Sequence, residues 1–305
     1  MKCSIIIPVY NSEKSIARVV ELIFKEVDLE KEIILVNDCS RDNSKNVCIE
    51  LCRRYKEVKF INLSKNFGQH NAIMAGISVV SGDVIVCMDD DLQTPPSEVM
   101  KLIDALDKGD YDVVYGNYEE KKHSTFRNFG TKVNEIMTNK LLGKPKDIKM
   151  TSFLVMKKYI ADEISKYRYA YPYLGGLIFR TTSNVGKVLV THKSRTEGKS
   201  NYNFRKLIAL WFNGVINFSV APLRLTSFIG TIFAGVGFLY LIAIIIKKFI
   251  DSSIVLGWTS IMATVIFFGG IQLISIGLIG EYIGRLYLNI NEKPQYVIRE
   301  TYNVE

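Results

Sequence analysis

No G-x-G-x-x-G follows the first apolar run of the chain, so a dinucleotide cofactor on a Rossmann fingerprint is not expected. Cysteine is sparse: of the five, Cys48 and Cys52 lie one helical turn apart, but no second cysteine or histidine pair sits nearby, which argues against a structural zinc. A signal peptide is also missing. The run Cys3 to Val9 is too short for an h-region and passes at once into a polar helix pattern, so the first 200 residues or so are expected in the cytosol, where thiols stay reduced. No nucleic-acid module is recognisable and no basic stripe is interleaved with aromatics. The formal net charge of +8 is therefore read as suited to phosphate-bearing ligands and an anionic membrane leaflet, not to nucleic acid.

What is present centres on Asp89-Asp90-Asp91-Leu92-Gln93. It follows Val84-Ile85-Val86-Cys87-Met88, a β-branched run whose length suits a buried strand, so the acidic triplet falls at a strand end. Adjacent carboxylates repel one another, and a cation there would offset the repulsion. In a D-x-D spacing Asp89 and Asp91 can converge while Asp90 points elsewhere, and the Gln93 amide oxygen adds a third hard ligand, a set suited to Mg²⁺ or Mn²⁺. The bland alternative is a solvated acidic turn that caps the helix beginning near Pro95-Pro96.

Strand and helix patterns alternate from the start. Ser4 to Val9, Glu32 to Val36 and Val58 to Leu63 read as strands; a helix is expected from Asn11-Ser12-Glu13 and a small-residue helix over Ala72 to Val80. Short connections between such units predict an α/β fold with a mainly parallel sheet. In that fold Tyr10, Asn11, Asp38, Asn66 and the triplet follow strand ends and would line one crevice. A carboxylate such as Asp38 could accept the imide N–H of uracil while Tyr10 or Pro8 packs on the base. Helix capping by Asp38 and ordinary packing by Tyr10 are the competing readings.

The last third changes character. Leu225 to Ile246 and Leu256 to Leu278 are apolar runs of about 20 residues, enough to cross a hydrocarbon core of about 30 Å. Lys and Arg flank the pair on the outside, with Lys247 and Lys248 between, so both termini are expected in the cytosol. Before the first run, Phe204, Leu207, Ile208, Leu210, Trp211, Val215, Ile216 and Phe218 form a broad apolar face, read as a helix lying in the bilayer interface or, alternatively, buried in a soluble core. The expected organisation is a catalytic domain over 1–202, an interfacial helix over 203–224, a two-helix anchor over 225–287 and a cytosolic tail over 288–305. Gly277, Gly280 and Gly284 would admit another helix closely, from the first span or from a second protomer of a homo-oligomer.

The stretches IIIPVYNSE, EIILVNDCSRDNS, LSKNFGQHNAIMAGI and DVIVCMDDDLQTPPSEV resemble the N-terminal motifs of the family 2 GT-A glycosyltransferases. They are most similar to the branch that moves a sugar from a nucleotide donor onto a polyprenyl phosphate, which includes dolichyl-phosphate mannose synthase and the GtrB-like and ArnC-like enzymes. The likeness spans nearly the whole chain, to the closing KPQYVI. It implies a Rossmann-like GT-A domain anchored in the bacterial inner membrane as a multi-pass protein. The implied reaction is metal-dependent inverting transfer from a nucleotide-sugar, most simply UDP-linked, to undecaprenyl phosphate. It would put Pro8, Tyr10, Asn11, Glu13, Asp38 and Asn66 around the donor, with Asp89 and Asp90. The metal would go to Asp89, Asp91 and Gln93. The stretch His192 to Tyr202 resembles the acceptor loop, with Arg195 at the phosphates and Lys199, Ser200 and Tyr202 closing over them; Asp91 and Arg195 become the catalytic candidates. Relatives carry an Asp near Ser152 and an Arg at Asn117, so the base and the sugar contacts differ here, and Asp147 is the remaining candidate base. Two rivals stay open. A processive polysaccharide synthase would carry Q-x-x-R-W, which Trp211 and Trp258 do not supply, and a non-catalytic nucleotide-binding membrane adaptor would need no metal ligands.

Overall fold

The computed structural model describes residues 1–118, 145, 148–169, 171–191, 257–290 and 294–304, with scattered positions between 223 and 246. It divides into two compact units, Met1–Gly214 with Glu292–Glu305, and Val215–Asn291.

In the first unit the alternation is β1 (Lys2–Val9), α1 (Ile16–Glu26), β2 (Glu30–Asn37), α2 (Ser44–Arg54), β3 (Val58–Leu63), α3 (Gln69–Ile77), β4 (Val84–Cys87) and α4 (Glu98–Lys108). Then come β5 (Val113–Tyr118), β6 (Leu154–Lys157), α5 (Lys158–Ser165), α6 (Leu174–Thr181), β7 (Val185–Val190) and, after the second unit, β8 (Ile298–Tyr302). Ile5, Ile6, Ile7, Ile33, Ile34 and Leu35 are all fully buried. A strand apolar on both faces can only sit inside a covered parallel sheet, and each such side chain contributes about 1.5–3 kcal/mol by leaving water. Helix α1 buries Ile16, Val19, Val20 and Ile23, an i, i+3, i+4, i+7 stripe.

The sheet order is β7-β5-β6-β4-β1-β2-β3-β8. β1 pairs in parallel with β2 on one side and β4 on the other, so the chain reverses its direction of travel across the sheet at β1. That switch point leaves a crevice beyond the carboxyl ends of the strands. The sheet is mixed: β6 runs against β4 and β5, and β8 against β3. β8 was expected only as tail; it instead closes one edge of the sheet, and Asn303 Nδ2 donates to the Cys52 and Val58 carbonyls at 2.9 and 2.8 Å.

Helix α1 starts at Ile16, not at Asn11 to Glu13. Asn11 is left-handed at φ +55°, and Ser12 donates both its N–H, to Ser44 Oγ at 2.8 Å, and its hydroxyl, to Asp90. The Ser12 carbonyl accepts from the Ser15 and Ile16 N–H groups at 3.1 and 3.0 Å, so a turn forms there, while the left-handed Asn11 keeps the helix from reaching further back. Similarly α3 ends at Ile77 instead of Val80.

In the second unit α7 (Trp258–Ile290) has 33 residues, about 50 Å of helix. Its segment Phe267–Gly284 is long and apolar enough to cross a membrane, with none of it buried, and it is the one such helix among the described residues. The described positions between 223 and 246 are helical, and the Phe233 ring lies 5.5 Å from that of Phe267 and 6.0 Å from that of Phe268. Nothing described lies within 4 Å of where a Cβ would stand on Gly277, Gly280 or Gly284. The expected interfacial helix falls, apart from Leu223, outside the described residues.

Candidate active site at the strand ends

Four loops meet beyond the ends of β1, β2, β3 and β4. Three of them place a non-glycine residue in the left-handed region, Asn11 at φ +55°, Cys39 at +56° and Leu92 at +60°. Such residues persist only where their surroundings hold them, and here the loops hold one another. Asn11 N–H donates to Ser40 Oγ at 3.0 Å, and Asn11 Oδ1 accepts from Arg41 N–H at 2.8 Å. Glu13 takes Asn43 N–H at 2.8 Å and returns its own N–H to Asp42 at 3.1 Å. Asn11 and Glu13 thus brace the loop after β2. Tyr10 stands 39 % exposed beside them, and Pro8 is part-buried in β1.

Asp38 is buried, and its two oxygens accept the backbone N–H groups of Phe67 and Gly68 at 2.7 and 2.8 Å. Burial pushes its carboxyl up and these two bonds pull it back in part. Gly68, at φ +90°, a conformation that glycine adopts without a Cβ penalty, turns the chain from this clamp into α3. Asn66 donates to the Asp38 carbonyl at 3.3 Å. The loop after β3 is therefore fastened to the loop after β2.

Each carboxylate of the triplet has a different environment. Asp89 accepts from Gln69 Nε2 at 2.8 Å and from the Ser152 hydroxyl. Asp90 accepts from Tyr10 N–H at 3.3 Å and from the Ser12 hydroxyl. Asp91 accepts the Gln93 N–H at 3.1 Å. Burial first, then the neighbouring charges of Asp89 and Asp91, raise the Asp90 carboxyl to about 6. Asp90 thus ties the triplet to the end of β1, a role D-x-D spacing does not assign. Among the described residues no three of His, Cys, Asp and Glu form a metal cage. The hard carboxylate oxygens of Asp89 and Asp91 next to Gln93 are a donor set that suits a divalent cation sharing its shell with ligand oxygens.

Ser152 and Thr151 complete the β6 side; Thr151 Oγ1 donates toward the Gly116 and Phe153 carbonyls at 3.0 and 2.9 Å. Among the described residues Asn117 Oδ1 and Tyr115 Oη, both on β5, have no hydrogen-bond partner. Ser12, Ser40, Gln69 and Ser152 were not among the expected site residues. The first three lie within the motif stretches that mark the strand ends, yet a loop serine or glutamine declares no partner until the loops are brought together. Asp147, Arg195, Lys199, Ser200 and Tyr202 lie outside the described residues.

Residues 4–165 match Glycosyl transferase family 2, and residues 221–286 match the GtrB C-terminal hairpin. Over 99 % of its length the chain is 33 % identical to the uncharacterized glycosyltransferase YkcC of Bacillus subtilis, covering 94 % of that protein. It is also 33 % identical, over its whole length and 95 % of the relative, to the undecaprenyl-phosphate 4-deoxy-4-formamido-L-arabinose transferase of Proteus mirabilis. Among solved structures, glucosyl-3-phosphoglycerate synthase from Mycobacterium tuberculosis with Mn²⁺ and UDP-glucose superposes with a TM-score of 0.53 at 17 % identity, covering 69 % of this chain and 75 % of that one. That likeness establishes a common fold.

Proposed function

The chain belongs to glycosyl transferase family 2, in its polyprenyl-phosphate branch, and on that premise we propose that it transfers a sugar from a nucleotide-sugar, UDP-linked in the simplest case, to undecaprenyl phosphate with inversion at the anomeric carbon. The observation that carries this reading is the acidic triplet at the end of β4, bound through Asp90 to the end of β1 at the sheet's switch point, in a chain that continues into a GtrB-type hairpin.

In this reading Tyr10 and Pro8 flank the base. Asn11, Glu13, Asp38 and Asn66 keep the crevice loops in register, and the second lone pairs of Asp38 remain for the base's imide N–H. Asp89, Asp91 and Gln93 would hold Mg²⁺ or Mn²⁺, which would supply positive charge to the departing diphosphate. Arg195, with its planar fork, grips the phosphate oxygens, and Lys199, Ser200 and Tyr202 close over them. The acceptor phosphate is a monoester with a second pKa of about 6, so near neutral pH it is already largely a dianion and requires little help from a base such as Asp147. One of its oxygens forms a bond to the anomeric carbon as the bond to the diphosphate breaks on the opposite face. Nucleoside diphosphate leaves, and the polyprenyl-phosphate sugar remains.

The apolar segment of α7 and the helical positions between 223 and 246, in contact through Phe233, support a two-span anchor. In the proposed enzyme this anchor lies in the bacterial inner membrane, with an interfacial helix over 203–224 and the catalytic unit and both termini on the cytosolic side. The test is direct. Full-length protein in vesicles containing undecaprenyl phosphate receives radiolabelled UDP- and GDP-sugars with and without Mn²⁺, and label is followed into the organic phase. One donor yielding lipid-linked label only when both Mn²⁺ and undecaprenyl phosphate are present is the expected result. No lipid-linked label from any donor defeats the proposal.

A further inference from the structure

Behind the crevice, hydrogen bonds run without a break from the loop after β1 to the C-terminal strand. Asn11 N–H donates to Ser40 Oγ at 3.0 Å, and the Ser40 hydroxyl donates to Asn37 Oδ1 at 2.5 Å. Asn37 Nδ2 donates to Asn62 Oδ1 at 2.8 Å, and Asn62 Nδ2 to Glu300 Oε1 at 2.7 Å. Every donor points the same way. Asn37 and Asn62 are 2 % and 5 % exposed, so water cannot readily substitute for a lost link. The last two partners are 238 residues apart in the chain.

A primary amide donates at one end and accepts at the other, so a row of asparagines does not choose its own direction. A carboxylate at one end, which only accepts, and a backbone N–H at the other, which only donates, both fix it. Here the two ends agree: Ser40 N–H also donates to Asn37 Oδ1, at 3.2 Å, which turns the Asn37 NH₂ toward Asn62, and Glu300 accepts the Asn62 NH₂ that is left pointing outward. Lys45 Nζ, 2.6 Å from the same Glu300 oxygen, keeps that carboxylate ionised and in place, and its carboxyl lies below the usual range through its bonds to Lys45 and Asn62. At the far end the row delivers a serine oxygen to the N–H of Asn11, a left-handed residue whose side chain in turn takes Arg41 N–H.

We propose that Glu300 is a positioning residue of the nucleotide crevice. Without touching the nucleotide it accepts the last NH₂ of the Asn62–Asn37–Ser40 relay, so that no buried donor is left unpaired, and through the relay it steadies the loop that carries Tyr10 and Asn11. The strand that follows the hairpin is then part of the binding site and not a mere terminus. This rests on the reading that the crevice takes the nucleotide.

The test uses full-length protein in nanodiscs, UDP with Mn²⁺ as the probe, and three variants: E300L, which cannot accept; E300Q, which can; and N62D/E300L, which moves the acceptor-only group one link down the row. E300L is expected to raise the Kd for UDP about 5–10-fold with kcat little changed, while E300Q and N62D/E300L stay within about twofold of the wild type. Amide exchange at Asn11 should quicken about tenfold in E300L and recover in the double variant, a readout independent of nucleotide. UDP affinity and Asn11 exchange in E300L equal to wild type, or a double variant as weak as E300L, overturns the proposal. If E300L does not fold, the double variant decides by the same criterion. Should the wild type itself bind no UDP, the nucleotide reading falls while the exchange data still judge the relay.

Discussion

At the N-terminal edge of the sheet, Glu32 is 3 % exposed and accepts from Ser4 Oγ at 2.5 Å, Ser81 N–H at 2.6 Å, Ser81 Oγ at 2.7 Å and Lys59 Nζ at 2.9 Å. At the C-terminal edge, Asp90 accepts one hydroxyl and one distant N–H and stands between two further carboxylates. Burial pushes both carboxyls up. Around Glu32 the hydrogen bonds outweigh it and hold the group at about 2, whereas around Asp90 they do not, and it rises to about 6. One edge is complete in itself; the other concentrates negative charge that a bound cation would balance. Gly82 shows how closely the first edge is built, since a Cβ there would meet Ser4 Oγ at 2.7 Å and the Lys2 carbonyl at 2.8 Å.

Substitutions at the two edges should therefore separate function from stability. Asp91→Asn is expected to lower glycolipid formation at least about a thousandfold, with the melting temperature moved by no more than about 2 °C; an active D91N enzyme would remove the distinction at the crevice. Glu32→Ala should do the reverse. It leaves Lys59 and the Ser81 N–H, both only part-buried, without their carboxylate and costs about 2 kcal/mol in denaturant unfolding, while turnover per folded molecule is unchanged.

Acid titration sharpens the contrast. Because the folded-state value of Glu32, about 2, lies below the ordinary 4.5, its contribution is fully present above pH 4.5 and is lost as pH falls from there toward 2. The loss amounts to at most about 3 kcal/mol, and E32Q should flatten that part of the stability profile. The smallest expected effect is at Cys39, exposed and left-handed at φ +56°. Cys39→Gly relieves the backbone cost but adds unfolded-state entropy, for a net gain of about 0.5 kcal/mol by thermal unfolding, with UDP affinity within twofold.

The strands β1 to β4 were readable from sequence because strands buried on both faces must be continuous apolar runs, and Val58 to Leu63 matches β3 end to end. β8 was not. Ile298–Tyr302 carries Arg and Glu at its centre, and what makes it a strand is an edge offered by β3, more than 230 residues earlier. The D-x-D pattern likewise located the carboxylates without their partners, since Gln69, Ser152, Ser12 and the Tyr10 N–H all come from other loops.

By itself the sequence determined the central strands, the position of the acidic triplet at a strand end and the apolar C-terminal third, because each depends on residues adjacent in the chain. Only the tertiary structure decided that Asp90 belongs to the end of β1, that Asp38 is clamped by the loop after β3, and that Glu300 terminates a relay to Asn11. Hydrogen bonds are short-ranged and directional, so which donor meets which acceptor follows from how the sheet brings distant loops together, and no local pattern encodes it.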